Sequence, residues 1–143
     1  MIGIEILQPA VVLMGWTMVM LVWLYATRLP AMSKVKVDLD KFVRDPELTL
    51  DRSLPPEVQW KAHNYAHLHE APTVFYAVAI VLAIVGHGDG LNLYLAWAYV
   101  VLRILHSLVQ ATTNKVPVRF LLFIASSAVL IALIVHAAIA VFQ

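Results

Sequence analysis

Two short stretches of this chain carry side chains whose types and spacing could form a polar site. His63, His67 and Glu70 stand at i, i+4 and i+7, and Arg103, His106 and Gln110 stand at i, i+3 and i+7. On helices each triplet falls on one face. If the two helices run antiparallel, residues at equal depth share a constant index sum. The sum that sets Glu70 opposite Arg103 also sets His67 opposite His106 and His63 opposite Gln110. Such a ladder joins a carboxylate, a guanidinium that can fork an anion, and imidazoles that exchange protons near neutral pH.

The flanks of both stretches are apolar, which sharpens the question of what these groups are for. Glu70 and Arg103 each lie about eight residues into an apolar segment, about 12 Å deep at the rise of an α-helix. An isolated ion at that depth costs several kcal/mol, so each calls for a partner or a wet cavity. One reading is a Glu70–Arg103 salt bridge that locks the two helices, with the histidines hydrogen-bonded around it. A second is a water-accessible pocket for an anionic solute, with Pro72 freeing a backbone carbonyl beside it. A third is a metal or haem site built from His63, His67, Glu70 and His106, against which Arg103 would repel a cation. His136 and His87 read as a packing residue and a turn residue.

The elements that must position these groups follow from composition. Over 143 residues the chain is 62% hydrophobic and 13% charged, with mean hydropathy +0.81, net charge +1 and no cysteine. Those values argue against a soluble enzyme, give no basic footprint for nucleic acid, and exclude thiolate metal sites, iron–sulfur clusters and disulfides. Four apolar segments, at about 9–29, 62–85, 91–111 and 118–142, approach the roughly 20 residues that cross a bilayer. The fold class expected is all-α: an integral membrane four-helix bundle in one domain over residues 1–143. The second and third spans alone carry the polar ladder.

All lysines and arginines except Arg103 fall in or beside the first and third connections, which places those connections in the cytoplasm and both chain ends outside. Glu5 before the first span and Arg28 after it make that span an uncleaved anchor rather than a signal peptide. The expected location is a bacterial inner membrane with periplasmic termini. Residues 30–60 read as a mixed-charge cytoplasmic loop; Lys34 to Asp40 alternates polar and apolar, and a plain loop is favoured there over a short strand or an extended piece on the headgroups. Pro55, Pro56 and Glu57 suit a helix start ahead of the bilayer, and Gly86, Gly88, Asp89 and Gly90 a tight turn that makes spans two and three a hairpin. Trp16 and the other large aromatics read as belt or packing residues.

The second span, Asn64-Tyr65-Ala66-His67-Leu68-His69-Glu70-Ala71-Pro72, resembles helix two of the MAPEG family, the membrane-associated proteins of eicosanoid and glutathione metabolism. Arg103-Ile-Leu-His106-Ser107-Leu-Val-Gln110, followed by Lys115-Val-Pro117-Val-Arg119, is similar to the family's helix three and the start of helix four. The likeness runs from about Gln59 to Leu133. It implies a homotrimer that binds glutathione near the cytoplasmic face and a lipophilic second substrate from the membrane. The activity implied is that of a glutathione-dependent transferase or peroxidase acting on lipophilic electrophiles. The alternative is a non-catalytic scaffold, a lipid-binding protein or an accessory subunit of a larger complex.

Carried over by position, Glu70 meets the tripeptide's amino end, and Arg103 and His106 form the helix-three pair beside the bound peptide. Arg119 takes the place of the arginine that stabilises the thiolate, which makes it the catalytic candidate. His63, Asn64, His67 and Gln110 complete the binding candidates; no metal is implied. Three positions depart from the family pattern. Its helix-two arginine falls at His63, its helix-two asparagine at His67, and its helix-three tyrosine at Gln110, while Asn64 and Lys61 lie close by but off register.

Overall fold

The computed structural model describes residues 2–36 and 38–143. A 3-10 turn at Ile4–Ile6 leads into α1, Leu7–Val35. Two short helices follow, α2 at Leu39–Arg44 and α3 at Leu50–Ser53. The remaining elements are α4 at Pro56–His67, α5 at Ala71–Ile84, α6 at Gly90–Ala111 and α7 at Val116–Phe142. No strand occurs among the described residues. Around the Lys34 to Asp40 stretch, Lys34 and Val35 end α1, Leu39 and Asp40 begin α2, and Val37 lies outside the described residues.

Four helical segments are long and apolar enough to cross a membrane: Ile4–Val35, Pro56–Ile84, Gly90–Ala111 and Val116–Phe142. At 29 residues, α1 is about 43 Å long, longer than the roughly 30 Å hydrocarbon core, so its last turns stand clear of it. The large side chains it leaves exposed, among them Val11, Met18 and Val22, have counterparts on α7 in Phe120, Leu121 and Ile131. An apolar surface this extensive suits lipid or another membrane helix.

The sequence suggested one second span at about 62–85 with an irregularity at Pro72, and the structure divides that stretch into two helices. α4 ends at His67, α5 begins at Ala71, and Glu70 between them has φ −96° and ψ −102°. The cause is Pro72, which has no N–H to continue the ladder and whose ring clashes with the carbonyl four residues back. The hinge closes with turn bonds instead: His69 N–H to Ala66 O at 3.0 Å, Glu70 N–H to His67 O at 3.2 Å, and Thr73 Oγ1 to Glu70 O at 2.6 Å.

The core lies where α1, α5, α6 and α7 meet. Phe75 of α5 stacks on Tyr99 of α6 with ring centroids 4.5 Å apart, both fully buried, among Leu13, Met20, Leu82 and Leu133. At the hairpin end, Gly3 donates its N–H to Ala83 O at 2.8 Å. Gly3 and Gly88 pass backbone against backbone, and a Cβ on Gly88 would run into the Gly3 carbonyl oxygen. This contact pins the start of α1 across the α5–α6 turn.

Candidate active site

At the opposite end of the bundle, the hinge of the second span, the last turns of α6 and the first turns of α7 enclose a cavity of about 230 Å³. His67, Glu70 and Ala71 come from the hinge, Arg103 and His106 from α6, and Val116, Arg119, Phe120 and Phe123 from α7. Each element contributes for a local reason. Pro72 forces the hinge that exposes Glu70. The i, i+3 spacing on α6 sets Arg103 and His106 on one face, and Pro117 in the first turn of α7 starts that helix so that Arg119 falls in its opening turn.

Five sequence-selected residues are thus brought together: His67, Glu70, Arg103, His106 and Arg119. The other three are not in its wall. Gln110 is 2% exposed and meets His67, with Oε1 3.1 Å from Nδ1. Asn64 is fully buried and donates through Nδ2 to Ser107 Oγ, which also accepts from Trp16 Nε1 at 2.9 Å. His63 is exposed on α4. Ser107, and Trp16 as its donor, are contributors that the sequence patterns did not single out. Ser107 lies beside His106 in the motif, and only the three-dimensional packing shows that it ties α1, α4 and α6 together.

The expected register also shifts. His67 pairs with Gln110 rather than His106, and Asn64 rather than His63 faces the α6 seam. The constant-sum rule assumes two straight antiparallel helices, and the hinge at 68–70 breaks that assumption. Glu70 and Arg103 do not form a salt bridge; among the described residues the ion pair found is Arg52–Glu47 on the surface, 3.0 Å. Arg103 instead reaches the backbone carbonyl of His67, with Nη2 3.4 Å from it.

The electrostatics follow from this arrangement. Two guanidinium groups and one carboxylate share the cavity, while Arg103 and His106 are 2% and 4% exposed. Arg103 Nε and His106 Nδ1 have no hydrogen-bond partner among the described residues. Buried polar groups without partners cost about 1–3 kcal/mol each, and both of these belong to residues that line the cavity. Val116, Phe120 and Phe123 supply an apolar side on α7, with Phe120 and Phe123 about half exposed. No group of three or more His, Asp or Glu among the described residues is arranged to hold a metal ion, so the metal reading of His63, His67, Glu70 and His106 gains no support.

The family model for the MAPEG family matches residues 6–139. The chain belongs to the MAPEG family. No curated protein and no solved structure matches it. MAPEG membership makes it a membrane protein of a family with glutathione-dependent transferases and peroxidases among its members. The match takes in α1, which the motifs alone did not reach.

Placed on the MAPEG pattern, the cavity holds Glu70, Arg103, His106 and Arg119, the residues that carry the resemblance, and one of the three departures, His67. Arg119 does not stand alone. Its Nη1 donates to Asn114 Oδ1 in the turn between α6 and α7. Asn114 has φ 51°, one of two non-glycine residues with positive φ among those described, and its N–H closes the end of α6 on Val109 O at 2.7 Å. Asparagine tolerates this left-handed conformation better than most residues. Its side chain is therefore presented to Arg119 from a fixed backbone.

Proposed function

We propose that this protein is a glutathione-dependent transferase or peroxidase of the membrane, acting on lipophilic electrophiles. The observation that carries the reading is the single cavity in which Glu70, Arg103, His106 and Arg119 meet in a MAPEG chain. Glutathione presents two carboxylates and one ammonium. Arg103 offers a fork for a carboxylate and Glu70 a counter-charge for the ammonium. Arg119, matched by position to the family's thiolate-stabilising arginine, would stabilise the thiolate and raise its population at neutral pH. The apolar α7 wall of Phe120 and Phe123 would suit a lipophilic partner, which the bilayer concentrates.

The reading extends to a homotrimer in a bacterial inner membrane with both termini periplasmic. The half-exposed Phe120 and Phe123 would then lie against either lipid or a neighbouring protomer. The test is the unfolding midpoint of detergent-purified protein with and without millimolar glutathione or S-hexylglutathione, in wild type and Arg103→Ala. Ligand bound only by the folded state raises the midpoint, by about 2.7 kcal/mol of stability at a hundredfold excess over Kd. The rise is expected in wild type and not in Arg103→Ala. A flat wild-type response to both ligands would overturn the reading in favour of a non-catalytic membrane scaffold.

A further inference from the structure

Two of the three departures from the MAPEG pattern are bonded to each other. His67 Nδ1 and Gln110 Oε1 are 3.1 Å apart, with Gln110 buried. An amide oxygen only accepts, so the proton in this bond belongs to Nδ1. A neutral imidazole protonated at Nδ1 carries its basic lone pair on Nε2. Because His67 lines the cavity and its Nδ1 is taken by Gln110, Nε2 is the nitrogen left for a molecule bound there. The asparagine that the family places here has no comparable base, because an amide nitrogen does not take up a proton near neutral pH.

We infer that His67 is the general base of this site, its Nε2 taking the proton of the bound glutathione thiol while Gln110 holds the ring in that tautomer. This rests on the glutathione reading above. In the step, the S–H bond breaks, an Nε2–H bond forms, and the electron pair stays on sulfur beside Arg119. The thiolate then forms an S–C bond with the electrophile. The leaving group departs with its bonding pair as the halide ion, and the imidazolium gives its proton to water, which restores the base. The charged and titratable groups around His67 are Glu70 at its own hinge, Arg103 and His106 on α6 and Arg119 on α7. Arg103 also holds the His67 backbone carbonyl, a contact that a change of the side chain leaves in place.

The experiment compares wild type, His67→Asn and Gln110→Met in detergent, with glutathione and a lipophilic aryl halide. Glutathione is expected to raise the unfolding midpoint of all three. For His67→Asn, kcat falls about a hundredfold while KM for glutathione changes by roughly threefold or less, and the acid limb of the pH–rate profile moves to higher pH. Gln110→Met leaves the imidazole without its tautomer lock, so kcat falls about tenfold and the acid limb stays. The ultraviolet thiolate band of bound glutathione, which needs no electrophile, is smaller in His67→Asn than in wild type at equal pH.

Wild-type kcat, acid limb and thiolate band in His67→Asn would overturn the base while leaving the glutathione reading intact. Glutathione failing to shift the wild-type midpoint would overturn both. Should His67→Asn fail to fold, Gln110→Met decides. Unchanged kcat with bound glutathione overturns the proposal, and lost kcat with bound glutathione supports it.

Discussion

The second span is two helices that meet at Glu70 and carry opposite loads. α5 buries Phe75, Val78, Ala79, Leu82 and Ala83, all apolar side chains. α4 buries Gln59 and Asn64 instead. Gln59 donates to Leu50 O at 2.6 Å and accepts from Arg28 at 3.3 Å, and Asn64 bonds Ser107. The hinge at Pro72 lets one span do both tasks. A straight helix would have continued its ladder past Glu70 and closed over the backbone that Arg103 reaches. Stability is therefore concentrated on the α5 side of the hinge and polar chemistry on the α4 side and in the hinge itself.

The sharpest way to break that division is to remove the α5 anchor. Phe75→Ala deletes a fully buried ring stacked on Tyr99. Loss of such a ring costs about 3–5 kcal/mol from the transfer and cavity terms together. The expected outcome is a large fall in the unfolding midpoint while glutathione still raises the midpoint that remains. If the ligand response disappeared as well, the two sides of the hinge would be one cooperative site and the comparison would fail.

Arg119→Ala tests the other side. Removing a positioned cation from a developing negative charge costs about a hundredfold in rate or more. Here kcat is expected to fall by about that factor, KM for glutathione to change little, and the unfolding midpoint to stay near wild type because Arg119 lies at the bundle end. Steady-state kinetics and a thermal melt check it together. Equal kinetics in wild type and Arg119→Ala would remove Arg119 from the chemistry.

What could be read from the sequence follows a physical rule. Hydropathy and the 3.6-residue period report faces of helices, so the four-helix membrane class and the stripes of His67, Glu70, Arg103 and His106 were legible. Register was not. The index-sum rule paired His67 with His106, because it has no term for a hinge, and the break ahead of Pro72 was visible only as a local irregularity. Short polar residues were hardest to read. Asn64 looked off register and Ser107 unremarkable, yet they bond in the core, since a buried amide takes whichever partner the packing brings within reach. The apolar wall at Val116, Phe120 and Phe123 could not be told from lipid-facing surface until α7 was placed against the hinge.

Asn114 is the case in which sequence carries almost no signal, and it allows the finest cut between structure and chemistry. Its backbone closes the end of α6 at φ 51°, and its side chain accepts from Arg119. Asn114→Gly keeps the first role, because glycine enters the left-handed region without steric cost, and deletes the second. The expected effect is a loss in kcat of about tenfold, smaller than for Arg119→Ala because the guanidinium remains and only its orientation is released. The unfolding midpoint is expected to stay near wild type. Asn114→Ala also deletes the acceptor but keeps a Cβ in the left-handed conformation without the amide that lets asparagine tolerate it, so its midpoint falls below that of Asn114→Gly while its kcat matches. Equal kcat in the two variants with different midpoints would separate the orienting bond from the backbone. Wild-type kcat in Asn114→Gly would show that Arg119 is placed by the start of α7 alone and that the turn serves only to end α6.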